Sequence, residues 1–180
     1  MWGLLESKGF VDTTALLGRL DKRCYGQFIE HLGKCIYGGI WVGEDSGIPN
    51  HKGFRLDVLK AIKDLQPRVV RWPGGNFSSG YHWLDGVGPR EKRPKRFDMA
   101  WKAEEPNTFG TDEFLEWCSL VNTEPFIVVN AGNGTPEEAA RWVEYCNLKS
   151  DTYYASLRRK YGHREPYGVK LWGIGNELYG

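Results

Sequence analysis

Four short apolar runs, each closing on polar residues, alternate with helical stretches along this chain, and that order leaves few folds open. The runs are Arg23–Ile29, ending at Glu30-His31; Arg68–Trp72, which carries Arg71; Pro125–Val129, ending at Asn130; and Val169–Ile174, ending at Asn176 and Glu177. After the first run, Phe54, Val58, Leu59, Ile62 and Leu65 recur at three- and four-residue steps, the mark of a helix with one buried face. Thr111, followed by Asp112 and Glu113, has the pattern of a cap and an acidic first turn. Thr135-Pro136-Glu137-Glu138 combines a cap, a proline at the first position and a capping-box glutamate, opening a helix to about Cys146. A further helix is expected from Asp151 to about Lys160. Strict alternation predicts an α/β fold with a parallel sheet and right-handed crossovers. In a (β/α) barrel of the TIM type, Glu30, Arg71, Asn130, Asn176 and Glu177 would then gather on one rim, at the carboxyl ends of the strands.

Five of the six residues from Val169 to Ile174 are apolar or glycine, which predicts a strand covered on both faces. Gly173, Gly175 and Glu177 share one parity in it, so small residues would leave room beside the carboxylate. From Pro73 to Phe109 no regular element is expected, and a loop that long is usually functional. Its charge run, Arg90 to Arg96, interleaves acids and proline and reads as a solvated surface. Residues 1–22 stay unassigned, and residues 23–180 form the domain.

Composition excludes several partners. A net charge of +1 gives no cause for nucleic acid binding, and no apolar stretch approaches the roughly 18 residues of a membrane span. Met1 to Lys8 shows no secretory pattern, so a cytoplasmic location is expected. Cys24, Cys35, Cys118 and Cys146 are scattered and read as reduced, buried thiols. The four histidines cluster neither with one another nor with the cysteines, so neither metal nor cofactor is expected. Eight Trp, nine Tyr and eight Phe fit an aromatic core or rings for sugars to stack on, and composition leaves both open.

A carboxylate beside an amide, with an arginine and a second acid close by, suits glycoside hydrolysis best. That reaction needs a carboxylic acid of raised pKa to protonate the leaving oxygen, and a second carboxylate opposite it. Another barrel enzyme or a non-catalytic protein fits the residue types as well.

Three motifs narrow the choice: Tyr25-Gly26-Gln27-Phe28-Ile29-Glu30-His31-Leu32-Gly33, Val70-Arg71-Trp72-Pro73-Gly74-Gly75-Asn76-Phe77 and Trp172-Gly173-Ile174-Gly175-Asn176-Glu177. With Thr111-Asp112-Glu113-Phe114 and Thr135-Pro136-Glu137-Glu138-Ala139-Ala140, they resemble the α-L-arabinofuranosidases of glycoside hydrolase family 51 over about Leu20 to Gly180. The resemblance implies a (β/α)8 barrel, with a β-sandwich elsewhere in the complete chain. It also implies a retaining double displacement that releases terminal arabinofuranosyl groups from arabinan- or arabinoxylan-type saccharides. By the same resemblance Glu177 is the general acid/base and Asn176 the amide that binds a sugar hydroxyl. Glu30, Arg71 and Asn76 hold the arabinose, and Trp101 lies in a loop lining its pocket. The family's nucleophile is a glutamate on the seventh strand, and nothing here matches it. The expectation is therefore a half barrel of four β/α units, inactive alone, whose unpaired edges make it dimerise or aggregate. A non-catalytic sugar-binding or assembly half-barrel, and a related retaining β-xylosidase or endoglucanase, remain alternatives, and homo-oligomer formation by a complete enzyme is left open.

Overall fold

The structure, a computed structural model, describes residues 6–179; residues 1–5 of the unassigned segment, and Gly180, lie outside it. Four strands, β1 (Gln27–Phe28), β2 (Val69–Trp72), β3 (Glu124–Val129) and β4 (Leu171–Ile174), lie side by side in chain order, every pair parallel. Phe28 registers with Arg71, Arg71 with Phe126 and Phe126 with Leu171, so all four strands point the same way at the same level. Helices α1 (Leu56–Leu65), α2 (Thr111–Val121), α3 (Pro136–Asn147) and α4 (Tyr153–Lys160) fill the connections. Among the described residues the sheet is open, with β1 and β4 at its edges.

The core is built from the aromatic rings. Trp72 on β2 stacks on Phe114 of α2 at 5.0 Å and meets Trp142 of α3 edge-on at 6.0 Å. Trp41, Trp72, Trp83, Trp117 and Trp142 are all buried. Most tryptophans therefore serve packing, which removes water from large apolar surfaces and fixes the helices on the sheet.

Local chemistry moves several expected boundaries. The first strand is only two residues long, because Lys22–Tyr25 wind into a 3-10 turn capped by Asp21, whose carboxylate accepts the Arg23 N–H at 2.8 Å. Cys24 sits in that turn and is exposed, and Cys35 is half-buried, so only Cys118 and Cys146 are the buried thiols expected of all four. α1 starts at Leu56 rather than Phe54, since Phe54–Arg55 pairs with Asn50–His51 and the Phe54 ring packs edge-on against Trp41 at 5.1 Å. Gly110, not Thr111, caps α2: its N–H donates to Glu113 Oε2 at 2.9 Å, while the Thr111 hydroxyl accepts the Trp142 indole N–H at 3.0 Å. Thr135 does cap α3, accepting the Glu138 N–H at 3.1 Å, but the Glu138 carboxylate turns to His82 Nδ1, 2.9 Å away. Residues 6–21 contain no helix or strand and lie exposed.

The loop after β2 is more ordered than its sequence implies. It holds 3-10 turns at Asn76–Ser79, Trp83–Gly86 and Arg90–Lys92, and a hairpin of Arg96–Asp98 with Ala103–Glu105. Its charge run is solvated at Glu91, Lys92, Lys95 and Arg96, as expected, but not at Arg93. The Arg93 side chain is buried, donating to both Glu113 oxygens at 2.9 and 3.0 Å and to the carbonyls of Gly88 and Asn107. Arg90 bridges the same Glu113 to Glu44. The acidic partners, Glu113 and Glu44, come from α2 and the loop before α1, so the run alone does not reveal them. β4 also differs from expectation: Ile174 is 84% exposed, so the strand is not covered on both faces.

Candidate active site

The chain leaves β1, β2 and β4 at one end of the sheet, and the acids and amides meet there. Glu30 follows β1 by two residues, and its Oε1 accepts from the Arg71 guanidinium of β2 at 2.7 Å. That guanidinium also stands 4.8 Å above the Phe28 ring, so two neighbours fix its plane. The polypeptide then turns at Gly74 and Gly75, both with positive φ. Gly75, at φ 60° and ψ −172°, occupies a region that side-chain-bearing residues avoid. A Cβ there would sit 2.9 Å from Glu30 Oε2 and 3.7 Å from Glu177 Oε2. The bare Gly75 face thus lies between the two carboxylates.

Asn176 is locked to the same turn. Its Oδ1 accepts the Gly75 N–H at 2.5 Å, and Ser78 Oγ donates to the Gly75 carbonyl at 2.8 Å. β4 ends at Ile174 and Gly175 turns with φ +75°, so the alternation of faces expected to run on to Glu177 stops short of it. Glu177, itself at φ +50°, reaches the rim through this turn and is exposed, with no hydrogen bond to another described residue.

Beneath this rim lies a buried polar cluster. The Trp72 indole can only donate, so His31 Nε2, 2.9 Å away, is the acceptor and Nδ1 carries the imidazole proton. Nδ1 donates to Glu105 Oε2 at 2.8 Å; Glu105 Oε1 accepts from the Tyr37 hydroxyl and from the Asn107 N–H at 2.7 Å. Burial, and then the adjacent Glu105 charge, push the Tyr37 hydroxyl far above its ordinary pKa, so it remains a donor. His31 stacks on Phe77 at 4.1 Å, which ties this cluster to the Asn76 turn.

Of the residues singled out from sequence, Glu30, Arg71, Asn176 and Glu177 come together, and Asn76 adjoins them next to Gly75. Trp101 does not join them: it lies at the tip of the hairpin, 51% exposed. Asn130 turns inward, using its amide on the Tyr81 carbonyl and Asn133, and organises its own loop. Sequence reasoning missed Gly75, Ser78 and Glu105. A proline and two successive glycines after a strand are the available signal for Gly75; Glu105 has none, because its partners lie on distant segments. Among the described residues no group of three metal-ligating side chains forms, and no helix is long and apolar enough to cross a membrane.

An open parallel sheet that collects acid, amide and guanidinium at its carboxyl-end rim has the organisation of an α/β catalytic domain, with chemistry kept at the strand ends and stability in the layers behind. The family model for the alpha-L-arabinofuranosidase 1 domain matches residues 61–180, and the chain belongs to that family, within glycoside hydrolase family 51. It is 56% identical over 164 residues to a probable alpha-L-arabinofuranosidase C of Aspergillus niger, covering 91% of this chain and 32% of that protein. It is 52% identical to an intracellular exo-alpha-L-arabinofuranosidase of Bacteroides ovatus, covering 89% of this chain and 32% of that protein. The solved arabinose complex of the alpha-L-arabinofuranosidase from Thermotoga maritima superposes with a TM-score of 0.83 at 61% identity, over 87% of this chain and 32% of that one. The chain therefore spans about a third of the length of the relatives it matches.

Proposed function

We propose that residues 23–180 form the first half of a (β/α)8 catalytic barrel that releases terminal non-reducing α-L-arabinofuranosyl groups with retention of configuration. The observation that carries this reading is the meeting at Gly75, where the Glu30 and Glu177 carboxylates flank a bare backbone face beside a guanidinium and a carboxamide. Glu177 is the general acid/base. It protonates the glycosidic oxygen as the bond breaks, then takes a proton from the water that frees the sugar. Asn176 uses its Oδ1 on Gly75, which leaves its amide N–H groups for a sugar hydroxyl. Glu30, oriented by Arg71, and Asn76 hold the ring, and Trp101 forms an outer wall of the pocket. The nucleophile, which a retaining enzyme holds about 5–5.5 Å from the acid, is not assigned to any residue of this chain. The relatives' names and the arabinose bound to the Thermotoga maritima enzyme support the choice of sugar. The reaction as written uses no metal or cofactor, and the location proposed is the cytoplasm, following the relative named intracellular.

Two measurements test this. The 180-residue chain alone is expected to release nothing from p-nitrophenyl α-L-arabinofuranoside; turnover that disappears in Glu177→Gln would overturn the half-site reading. In a chimera where this chain replaces the matching third of the Thermotoga maritima enzyme, Glu177→Gln should slow hydrolysis of arabino-oligosaccharides by roughly 10²–10⁴. Unchanged turnover there removes Glu177 from the chemistry.

A further inference from the structure

Glu177 has to aim a proton at a glycosidic oxygen, yet its carboxylate bonds to no other described residue and its backbone sits at φ +50°. Its direction is therefore set by the peptide group before it, which joins the Asn176 carbonyl to the Glu177 nitrogen. Tilting that plane swings the side chain, and general acid catalysis requires hydrogen-bond reach to the atom being protonated. Among the described residues, the one donor facing the Asn176 carbonyl is the Ser78 hydroxyl, 3.4 Å away.

Ser78 is buried in the 3-10 turn Asn76–Ser79. Its Oγ lies near two carbonyls, that of Gly75 at 2.8 Å and that of Asn176 at 3.4 Å, and it has a single proton to give. The nearer bond is partly redundant, because the Gly75 carbonyl also accepts the Ser78 N–H at 3.3 Å within the turn. The Asn176 carbonyl has no second donor among the described residues. On the other side of the same glycine, the Gly75 N–H goes to Asn176 Oδ1. The turn after β2 thus grips Asn176 twice, by its side chain and by its main chain, and the second grip falls on the peptide that carries Glu177. A serine that only closed its own turn would need the Gly75 carbonyl alone; the contact to a residue 98 positions on calls for another use. We infer that Ser78 is a positioning residue for the acid, its hydroxyl holding the Asn176–Glu177 peptide plane and closing on the Asn176 carbonyl when a saccharide is bound. Ser78 acts through Glu177 and has no part in the bond changes. The inference rests on the reading of Glu177 as the general acid/base.

Leaving groups that need the acid to different degrees provide the test. p-Nitrophenolate departs with little help from a proton, whereas a sugar alkoxide must be protonated as it leaves. kcat/KM covers the steps up to that departure, so it isolates the acid's share. In the chimera with the Thermotoga maritima enzyme, Ser78→Ala should lower kcat/KM for α-1,5-linked arabinobiose about tenfold more than for p-nitrophenyl α-L-arabinofuranoside, the worth in rate of one lost hydrogen bond. Ser78→Cys, with a weaker donor in the same place, should show the same preference to a smaller degree. Thermal melting shows that each variant is folded. Equal losses on the two substrates, or no loss on either, would leave Ser78 as a turn former and overturn the inference. Failure of both variants to fold would overturn it too, since Ser78 would then serve the fold. Glu177→Gln in the same chimera separates the two readings. If it is slow on arabinobiose while Ser78→Ala is unselective, only the role of Ser78 falls. If it is as fast as the unaltered chimera, the acid assignment falls and takes this inference with it.

Discussion

Glu105 and Glu177 both stand near the carboxyl ends of the strands, and the fold treats them in opposite ways. Glu105 is buried, and each of its oxygens accepts from groups fixed on separate segments: His31, Tyr37 and Asn107. Glu177 is exposed at a left-handed turn and bonds to no other described residue. The first is an acceptor around which three segments close. The second is a carboxylate kept in place by backbone geometry and by its neighbour Asn176. A group available for chemistry is one the fold positions without saturating, and saturated groups nearby supply the rigidity.

The contrast is easiest to break with Glu105→Leu. Removing the acceptor strands the His31 and Tyr37 donors in the core, which should lower stability by about 1–3 kcal/mol for each, read from urea midpoints. Glu177→Gln should stay within about 0.5 kcal/mol of the unaltered chain. Equal effects would erase the distinction. Gly75→Ala comes next, with an expected loss of about 1–3 kcal/mol from its positive φ, and a shifted Glu30 carboxylate because the new methyl would collide with it. Asp112 sharpens the comparison as a third case. It is buried under the Tyr145 and Tyr167 hydroxyls, with His163 at 3.7 Å and Glu113 beside it on α2. Burial pushes its pKa above the ordinary 3.8, more than the imidazole and the hydroxyls pull it back. The folded chain then holds this proton more tightly than the unfolded chain does. Asp112's contribution to stability should rise as pH falls through the folded value towards 3.8, and fade as pH rises. Asp112→Asn should flatten that part of the urea-midpoint profile. Trp101→Ala is the smallest, within about 0.5 kcal/mol, because the ring is half exposed at a hairpin tip.

Sequence periodicity carried the sheet order and the helices, because hydrophobic spacing is a local record of burial. It also carried four of the rim residues, since a polar group closing an apolar strand has few structural uses. What it could not carry were interactions between distant segments. Arg93 reads as solvated because Glu113 lies 20 residues on; Glu105 is not singled out because His31 and Tyr37 lie some 70 residues back. The edges of β1 and β4 are a different kind of miss. An apolar run reads as covered whether or not its neighbour is in the same stretch of sequence, and Ile174 is exposed.

The bond from the Trp72 indole to His31 has a practical use. Its proton is shut away from solvent and pressed against an imidazole nitrogen, so it should exchange with deuterium far more slowly than the indole proton of Trp101. A single resonance in a spectrum of the intact chain would then report, without any label or ligand, whether the floor beneath the rim has kept its shape.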